Sequence, residues 1–515
     1  MKKSSKDRKN NFAVWIEKFF WVLCLIVVAV IVALVINKGL SFSSASILLI
    51  SLVLISLCVR HSRKIFDYFR EHKRFMYCVC AVLMFLGIAL RLSFLFVQGD
   101  FHPRQTLSDT GVHWYGAQQL VDNGGFDKEV GDYETVYPYL FTYTGSLALS
   151  MNIFGKSFLA VIMLNLFFDL LAAFCLFILF WKWKKSKTAG LFAATIWLIN
   201  PFEILFCGLT LAIVVVNALM ILATLAMYLV YSNRDSTGKL IVYSLLLGCV
   251  IAVGNAYRPF FVIFGIALVV YYVIYLLSKR VVFRNSVFSV VATFLMIVLV
   301  GLLPSRIHQS VNPYYHGGKS QAGWSIFVGA HYETSGKWSS DDRDFFFGPV
   351  LIDQANGDAN EAYSIIMKQA IKRYGKMILE GKLVEHFFNK TALTFGDVRN
   401  AYYDIPYAYN ISKESYVYNL VQDWSLVFYY SVLGLFIVFL FENVKNFWFN
   451  KKILPNSGFN FVMVISFVGF FFAMLMVESM NRYSLPFIAL MVVFAVGYLV
   501  DVFRTSVTFE RSLKR

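Results

Sequence analysis

A carboxylate, three guanidiniums and a set of aromatic hydroxyls hold most of the chemistry this 515-residue chain could do. Asp109 stands in Ser108-Asp109-Thr110-Gly111-Val112-His113, where Ser108 can cap a helix that begins at Asp109. A carboxylate at a helix N-terminus stays ionised, because the dipole and the free amides favour the anion. It could then orient and deprotonate an acceptor hydroxyl as a general base; the alternative is that it only caps its own helix. Arg258 lies in Gly254-Asn255-Ala256-Tyr257-Arg258-Pro259, a tight turn between two apolar runs, with Pro259 suited to the start of a helix. A guanidinium beside a helix start is a ready anion site. Arg482 repeats the arrangement in Glu478-Ser479-Met480-Asn481-Arg482-Tyr483, and Arg306, just past Pro304, is a third of the same kind. Such arginines would suit a phosphate held at lipid-headgroup level. The alternatives are snorkelling to ordinary headgroups and, for Arg482, an ion pair with Glu478 one helical turn away.

Around these groups, His113, Tyr137, Glu203, Tyr257, Glu478 and Tyr483 are candidate substrate-binding residues, each beside one of the arginines or the carboxylate or at the end of an apolar run. His102, Asp109 and His113, or His331 with Glu333, could be drawn as metal ligands, but neither spacing matches a metal motif. The expectation is therefore no cofactor, with a divalent metal left open. No Gly-rich phosphate cradle follows a strand pattern anywhere in the sequence.

The elements that must position these residues are helices in lipid. With 58% hydrophobic and 15% charged residues, the chain reads as an all-α polytopic membrane protein, since every span must satisfy its backbone internally. The formal charge of +16 does not point to nucleic acid, because the bases fall in short connections and tails, as orientation by the positive-inside rule requires. Seven cysteines lie in or beside apolar runs, none in the large polar segments, so no disulfide framework is expected. Spans are expected near 19–37, 43–60, 75–97, 158–181, 188–206, 209–231, 239–254, 258–278, 285–304, 425–442, 459–477 and 483–503, twelve in all. Basic connections then stay on the cytoplasmic side, and the candidate site residues gather outside. The apolar stretch 139–154 is the ambiguous piece; crossing alone it would turn every later basic connection outward, so it reads as interfacial or re-entrant.

The resulting division is an N-terminal helix pair with a basic loop (1–74), a transmembrane core (75–304) with an outer loop (99–157), an outer loop domain (305–424) and C-terminal helices (425–515). The segment 100–137 has seven acids against two bases, and its helix from Asp109 is short and amphipathic enough to lie along a membrane surface. In the second polar segment, residues 359–383 form an amphipathic helical stretch.

At these residues the chain resembles the GT-C superfamily of membrane glycosyltransferases, nearest the branch of protein O-mannosyltransferases and the bacterial aminoarabinose transferase. Ser108-Asp109 with Tyr115 and Ala117, Tyr137-Pro138-Tyr139, Asn200-Pro201-Phe202, Tyr257-Arg258-Pro259 and Arg482-Tyr483-x-x-Pro486 carry the resemblance in order, from about Arg91 onward. The run Gly323-Trp324-Ser325-Ile326-Phe327-Val328-Gly329, with Glu333-Thr334-Ser335-Gly336-Lys337-Trp338 after it, is similar to Gram-positive bacterial relatives. One departure stands out: many members have two adjacent acids at the catalytic position, whereas Thr110 follows Asp109. The resemblance implies a GT-C-like fold and transfer of a sugar, usually with inversion, from a polyprenyl-phosphate carrier to an acceptor outside the cytoplasmic membrane of a Gram-positive bacterium. Asp109 would be catalytic, and Arg258, Arg482 and Arg306 would hold the donor phosphate. The partners implied are the lipid-linked donor, a glycopolymer, lipid or protein acceptor, and membrane lipid. Two rival readings are a lipid-linked polysaccharide polymerase or ligase, and a flippase or transporter of lipid-linked sugars. Transporters place ionisable groups near the midplane and show internal repeats, whereas here Asp169 is the main mid-span charge and no halves match.

Overall fold

The computed structural model describes residues 5–39, 71–97, 109–278, 281–315, 322–396, 416–449 and 457–513, together with 46, 47, 51, 53 and 398. Long apolar runs become long helices because the backbone has no other partner in lipid. Among the described residues, nine helices are long and apolar enough to cross a membrane. These lie in α1 (Ser5–Gly39), α2 (Lys73–Val97), α6 (Phe158–Trp183), α9 (Ile213–Ser232), α10 (Thr237–Tyr257), α12 (Phe283–Val311), α17 (Tyr416–Phe449), α18 (Ser457–Met476) and α19 (Leu485–Leu513), the last preceded by a 3₁₀ turn at Asn481–Ser484. A shorter apolar helix, α11 (Val262–Leu277), lies between α10 and α12. The chain is thus a helical protein built for multiple membrane passes. The expected span 43–60 falls almost entirely outside the described residues.

The expected span 188–206 is not one helix. It breaks into α7 (Lys187–Leu198) and α8 (Pro201–Phe206) at Asn200-Pro201. Proline lacks an N–H and disfavours a helical residue before it, so α7 ends; Asn200 then caps α8, accepting from the Phe202 amide at 3.1 Å. Carbonyls left over in the turn that follows, at Cys207 and Leu209, accept from Asn165 Nδ2 at 2.8 and 3.0 Å. Irregular backbone survives in this apolar setting because a buried amide satisfies it.

The first polar segment folds as α3 (Asp109–Asn123) and α4 (Lys128–Val136), followed by α5 (Leu140–Phe154). At 15 residues α5 is roughly 22 Å long, shorter than the ~30 Å hydrocarbon core. It packs against α3 and α6. Helix α3 is not a surface element: Val112, His113, Trp114, Gly116 and Ala117 are buried. At Gly116 a Cβ would stand 2.9 Å from Thr144 Cγ2, so a larger residue would force the Thr144 side chain or α5 to shift.

The second polar segment forms a cap of α13 (Ala322–Gly329), α14 (Ser340–Phe345), a π-helical stretch (Phe346–Gln354), α15 (Ala359–Leu379) and α16 (Leu383–Phe395). Its own core holds Trp324, Phe327, Phe346, Val350, Ile366 and Tyr374. Val136 from α4 joins this core, and the Tyr363 hydroxyl donates to the Val136 carbonyl, tying the two polar segments together. One buried ion pair sits deep in the bundle. Arg91 Nε lies 2.7 Å from Asp169 Oδ2, both side chains fully enclosed, and Arg91 Nη1 also donates to the Gly87 and Leu198 carbonyls. The mid-span acid thus has a dedicated cation on α2.

Candidate functional site

Three remote segments meet at one end of the bundle: the start of α3, the turn between α10 and α11, and the approach to α19. Thr210 Oγ1 donates to the Thr110 carbonyl at 3.0 Å, fixing the first turn of α3 and with it Asp109. Asp109 Oδ2 receives Arg482 Nη2 at 3.1 Å, and Asp109 Oδ1 receives the Tyr133 hydroxyl at 3.4 Å. Ser108, the expected cap, lies outside the described residues. Arg258 ends α10, its amide bonded to the Gly254 carbonyl at 2.8 Å. Its guanidinium lies over the Tyr139 ring at 4.8 Å and near the Tyr483 ring at 5.8 Å, two cation–π contacts. The Tyr483 hydroxyl donates to Glu478 Oε2 at 3.4 Å.

Arg258, Arg482, Glu478, Tyr139 and Tyr483 border a cavity of about 320 Å³, which Asp109 adjoins through its contact with Arg482. Its polar end has Arg258, Arg482, Glu478, Tyr139, Tyr483 and Ser325, and its long flank is apolar, with Val216, Met220, Phe470, Met474, Phe487 and Leu490. The flank residues come from α9, α18 and α19, so the cavity runs from the polar end down between membrane-length helices. A charged head with a long apolar flank fits an amphiphile with an anionic head.

The electrostatics set the protonation states. Burial alone would push the Asp109 carboxyl up, but Arg482 and Arg258 outweigh it and hold it below the ordinary carboxylate range. Glu478 goes the other way: burial raises it to about 6, against the pull of Arg482 and with the push of Asp109. Both carboxyls are therefore mostly ionised at neutral pH, and of the two Glu478 is the one that takes up a proton as pH falls through about 6. Burial lowers His113 to about 3, so it is neutral; its Nδ1 lies 3.0 Å from Thr144 Oγ1, which donates to Glu134 at 2.7 Å. Burial raises Glu134 to about 8.

The structure brings Asp109, Arg258, Arg482, Glu478 and Tyr483 together. Tyr137 stands one layer back, its ring tilted against Tyr133 at 4.9 Å and edge-on to Trp324 of the cap at 6.3 Å. Tyr257 is buried behind the turn, its hydroxyl 2.6 Å from Ser146 Oγ. His113, one turn beyond Asp109, faces the α3–α5 contact rather than the cavity. Glu203 is buried on α8, accepting from Asn217 Nδ2 at 2.7 Å, and belongs to the packed bundle. Arg306 does not join the site. α12 continues through Pro304 instead of turning there, and Arg306 projects from its exposed surface, away from the cavity lining.

Sequence reasoning missed Tyr133, Tyr139 and Ser325. Tyr139 and Ser325 sit inside quoted motifs, Tyr137-Pro138-Tyr139 and Gly323-Trp324-Ser325, which was the available signal; Tyr133 had none. Among the described residues, no group of three or more His, Cys, Asp or Glu side chains is placed to hold a metal ion, and His102 lies outside them. A scan against family models, a search of curated proteins and a search of solved structures return no match.

Proposed function

We propose that this chain is a GT-C-like glycosyltransferase that moves a sugar from a polyprenyl-phosphate donor to an acceptor hydroxyl on the outer face of a cytoplasmic membrane, with inversion. The observation that carries the reading is the Asp109–Arg482 contact at 3.1 Å beside Arg258, at the polar end of a cavity whose flank is apolar. The prenyl chain lies along Met220, Phe470, Phe487 and Leu490, and the phosphate meets Arg258 and Arg482. The acceptor oxygen attacks the anomeric carbon as the bond from that carbon to the phosphate oxygen breaks. Asp109 takes the proton of the acceptor hydroxyl, and the electron pair leaves on the phosphate, where the guanidiniums stabilise the growing charge. A base must be ionised, and Asp109 is held so; the leaving group must be neutralised, and two arginines stand there.

The twelve-pass threading, the outward-facing site and a Gram-positive cell envelope belong to the same proposal. It is supported by the convergence of Asp109, Arg258, Glu478 and Arg482 at one end of the bundle, the end that charge asymmetry places outside. Acceptor recognition is assigned to the cap over that end, and the acceptor is a glycopolymer, lipid or protein. The test uses purified protein with a polyprenyl-phosphate sugar and a panel of hydroxyl acceptors. Release of polyprenyl phosphate together with glycosylated acceptor supports the reading. Intact donor carried across liposomes with no bond cleavage would replace it with the carrier reading.

A further inference from the structure

Lys390 sits on the amphipathic helix α16, yet its side chain is fully buried. Its ammonium donates to the Gly329 carbonyl at the end of α13 (2.8 Å) and to the Val477 carbonyl beside the site (2.5 Å). A Cβ at Gly336 would stand 2.9 Å from the Lys390 nitrogen, and Gly336 adopts φ +75°, so glycine is required for the turn to close over the ammonium. The same turn and its neighbours hold the segment that follows Val477. The Glu478 amide donates to the Ser325 carbonyl at 2.7 Å and the Ser479 amide to the Gly336 carbonyl at 2.8 Å. Tyr374 bonds the Met476 carbonyl at 2.9 Å, and Asn481 Nδ2 the Leu393 carbonyl at 2.7 Å. The cap therefore grips, at successive residues, the strip that bears Glu478 and delivers Arg482.

A buried lysine is a costly way to bridge two carbonyls that a neutral amide could also bridge, so its presence needs a reason. We propose that Lys390 is a positioning residue whose side-chain nitrogen clamps the Val477–Arg482 strip to the cap, so that the cap sets the geometry of the cavity's polar end. The proposal rests on reading that end as the reaction centre. Burial lowers Lys390 to about 7, opposed by the negative field of Glu478. His386, one turn back on α16, also faces the ammonium, and itself feels His331 and Glu333 in the turn after α13. Opening the clamp returns Lys390 to water and to its ordinary range, so opening takes up a proton and the closed clamp is favoured as pH rises through about 7. Global stability moves the same way: with a lowered pKa the folded chain binds fewer protons than the unfolded one, so this group favours folding more as pH rises.

The experiment uses full-length protein in nanodiscs. Hydrogen exchange of the 477–482 peptide, corrected for the intrinsic pH dependence, is followed from pH 6 to 9 for wild type, Lys390→Arg and Lys390→Met, beside the sugar-transfer rate. Wild-type protection of that peptide should rise about tenfold as pH passes above 7, because opening must then take up a proton, with the transfer rate following it. Lys390→Arg, charged throughout, should hold the strip without that pH limb, and Lys390→Met should lose protection and transfer at every pH while α9 stays protected. If Lys390→Met does not fold, the comparison of wild type with Lys390→Arg still decides. Unchanged protection in Lys390→Met, or Lys390→Arg tracking the wild-type pH limb, overturns the clamp. The expected exchange pattern in a protein that transfers no sugar upholds the clamp and removes the glycosyltransferase reading instead.

Discussion

Arg482 reaches Asp109 at 3.1 Å across 373 positions of sequence, and the two side chains are only 14% and 25% exposed. The contact does two things at once: it keeps the carboxylate ionised and holds a guanidinium at the cavity's polar end. It also makes the two residues separable by mutation, because one is assigned to the acceptor and the other to the donor.

Asp109→Asn removes the proton acceptor while keeping size and capping ability. Transfer should drop by roughly two to four powers of ten. Donor binding should survive or tighten, because Arg482 loses its competing anion. Single-turnover kinetics beside a lipid-binding measurement separate the two, and normal transfer by the variant would reduce Asp109 to a helix cap.

Arg258 is held by rings rather than by a carboxylate, so its fork is what a donor phosphate would meet. Arg258→Lys should lose most of the transfer rate, since a point charge replaces a planar donor, and Arg258→Ala should lose more with the protein still inserted. Near-normal turnover in the alanine variant would take Arg258 out of the site.

Glu478, raised to about 6, gives a pH signature. Its folded pKa exceeds its unfolded value, so the folded chain binds the extra proton. The stability from this group is fully present below about pH 4.5 and is lost as pH rises through about 6. Glu478→Gln should flatten the stability profile over that window in thermal unfolding scans. A mutant profile that keeps the wild-type slope would mean another group titrates there.

The Arg91–Asp169 pair predicts a stability effect with no chemistry in it. Asp169→Ala strands a buried guanidinium and should cost about 3–5 kcal/mol, whereas Arg91→Met with Asp169→Leu should recover most of it. Thermal unfolding in detergent measures both. Equal losses in the single and double variants would show that the pair is not the unit.

Membrane threading is checked by cysteine accessibility at positions 123, 235, 353 and 448. The expected pattern is outside, inside, outside, inside, and an outside signal at 235 or 448 would relocate every proposed site.

Several features were legible in the sequence because they depend on local physics. Apolar runs of span length had to be helices, Asp109 opens a helix as its position suggested, and the 359–383 stretch is helical over Ala359–Leu379. The break at Asn200-Pro201 was equally local, and proline chemistry could have shown it, but the hydropathy of 188–206 runs on across it. Which charges share a site was a different matter. Arg258, Arg306 and Arg482 look alike as helix-end arginines, and only packing separates them: α12 carries Arg306 to an exposed face, while α10 and α19 bring the others to one cavity. Lys390 shows the same limit from the other side. Its burial arises because α13, α16 and the Val477 segment converge, and no periodicity along α16 encodes the carbonyls that surround its charge. Hydrophobic pattern determines the helices, since each residue contributes to it independently. The site depends on distances between residues hundreds of positions apart, which only the packed bundle sets.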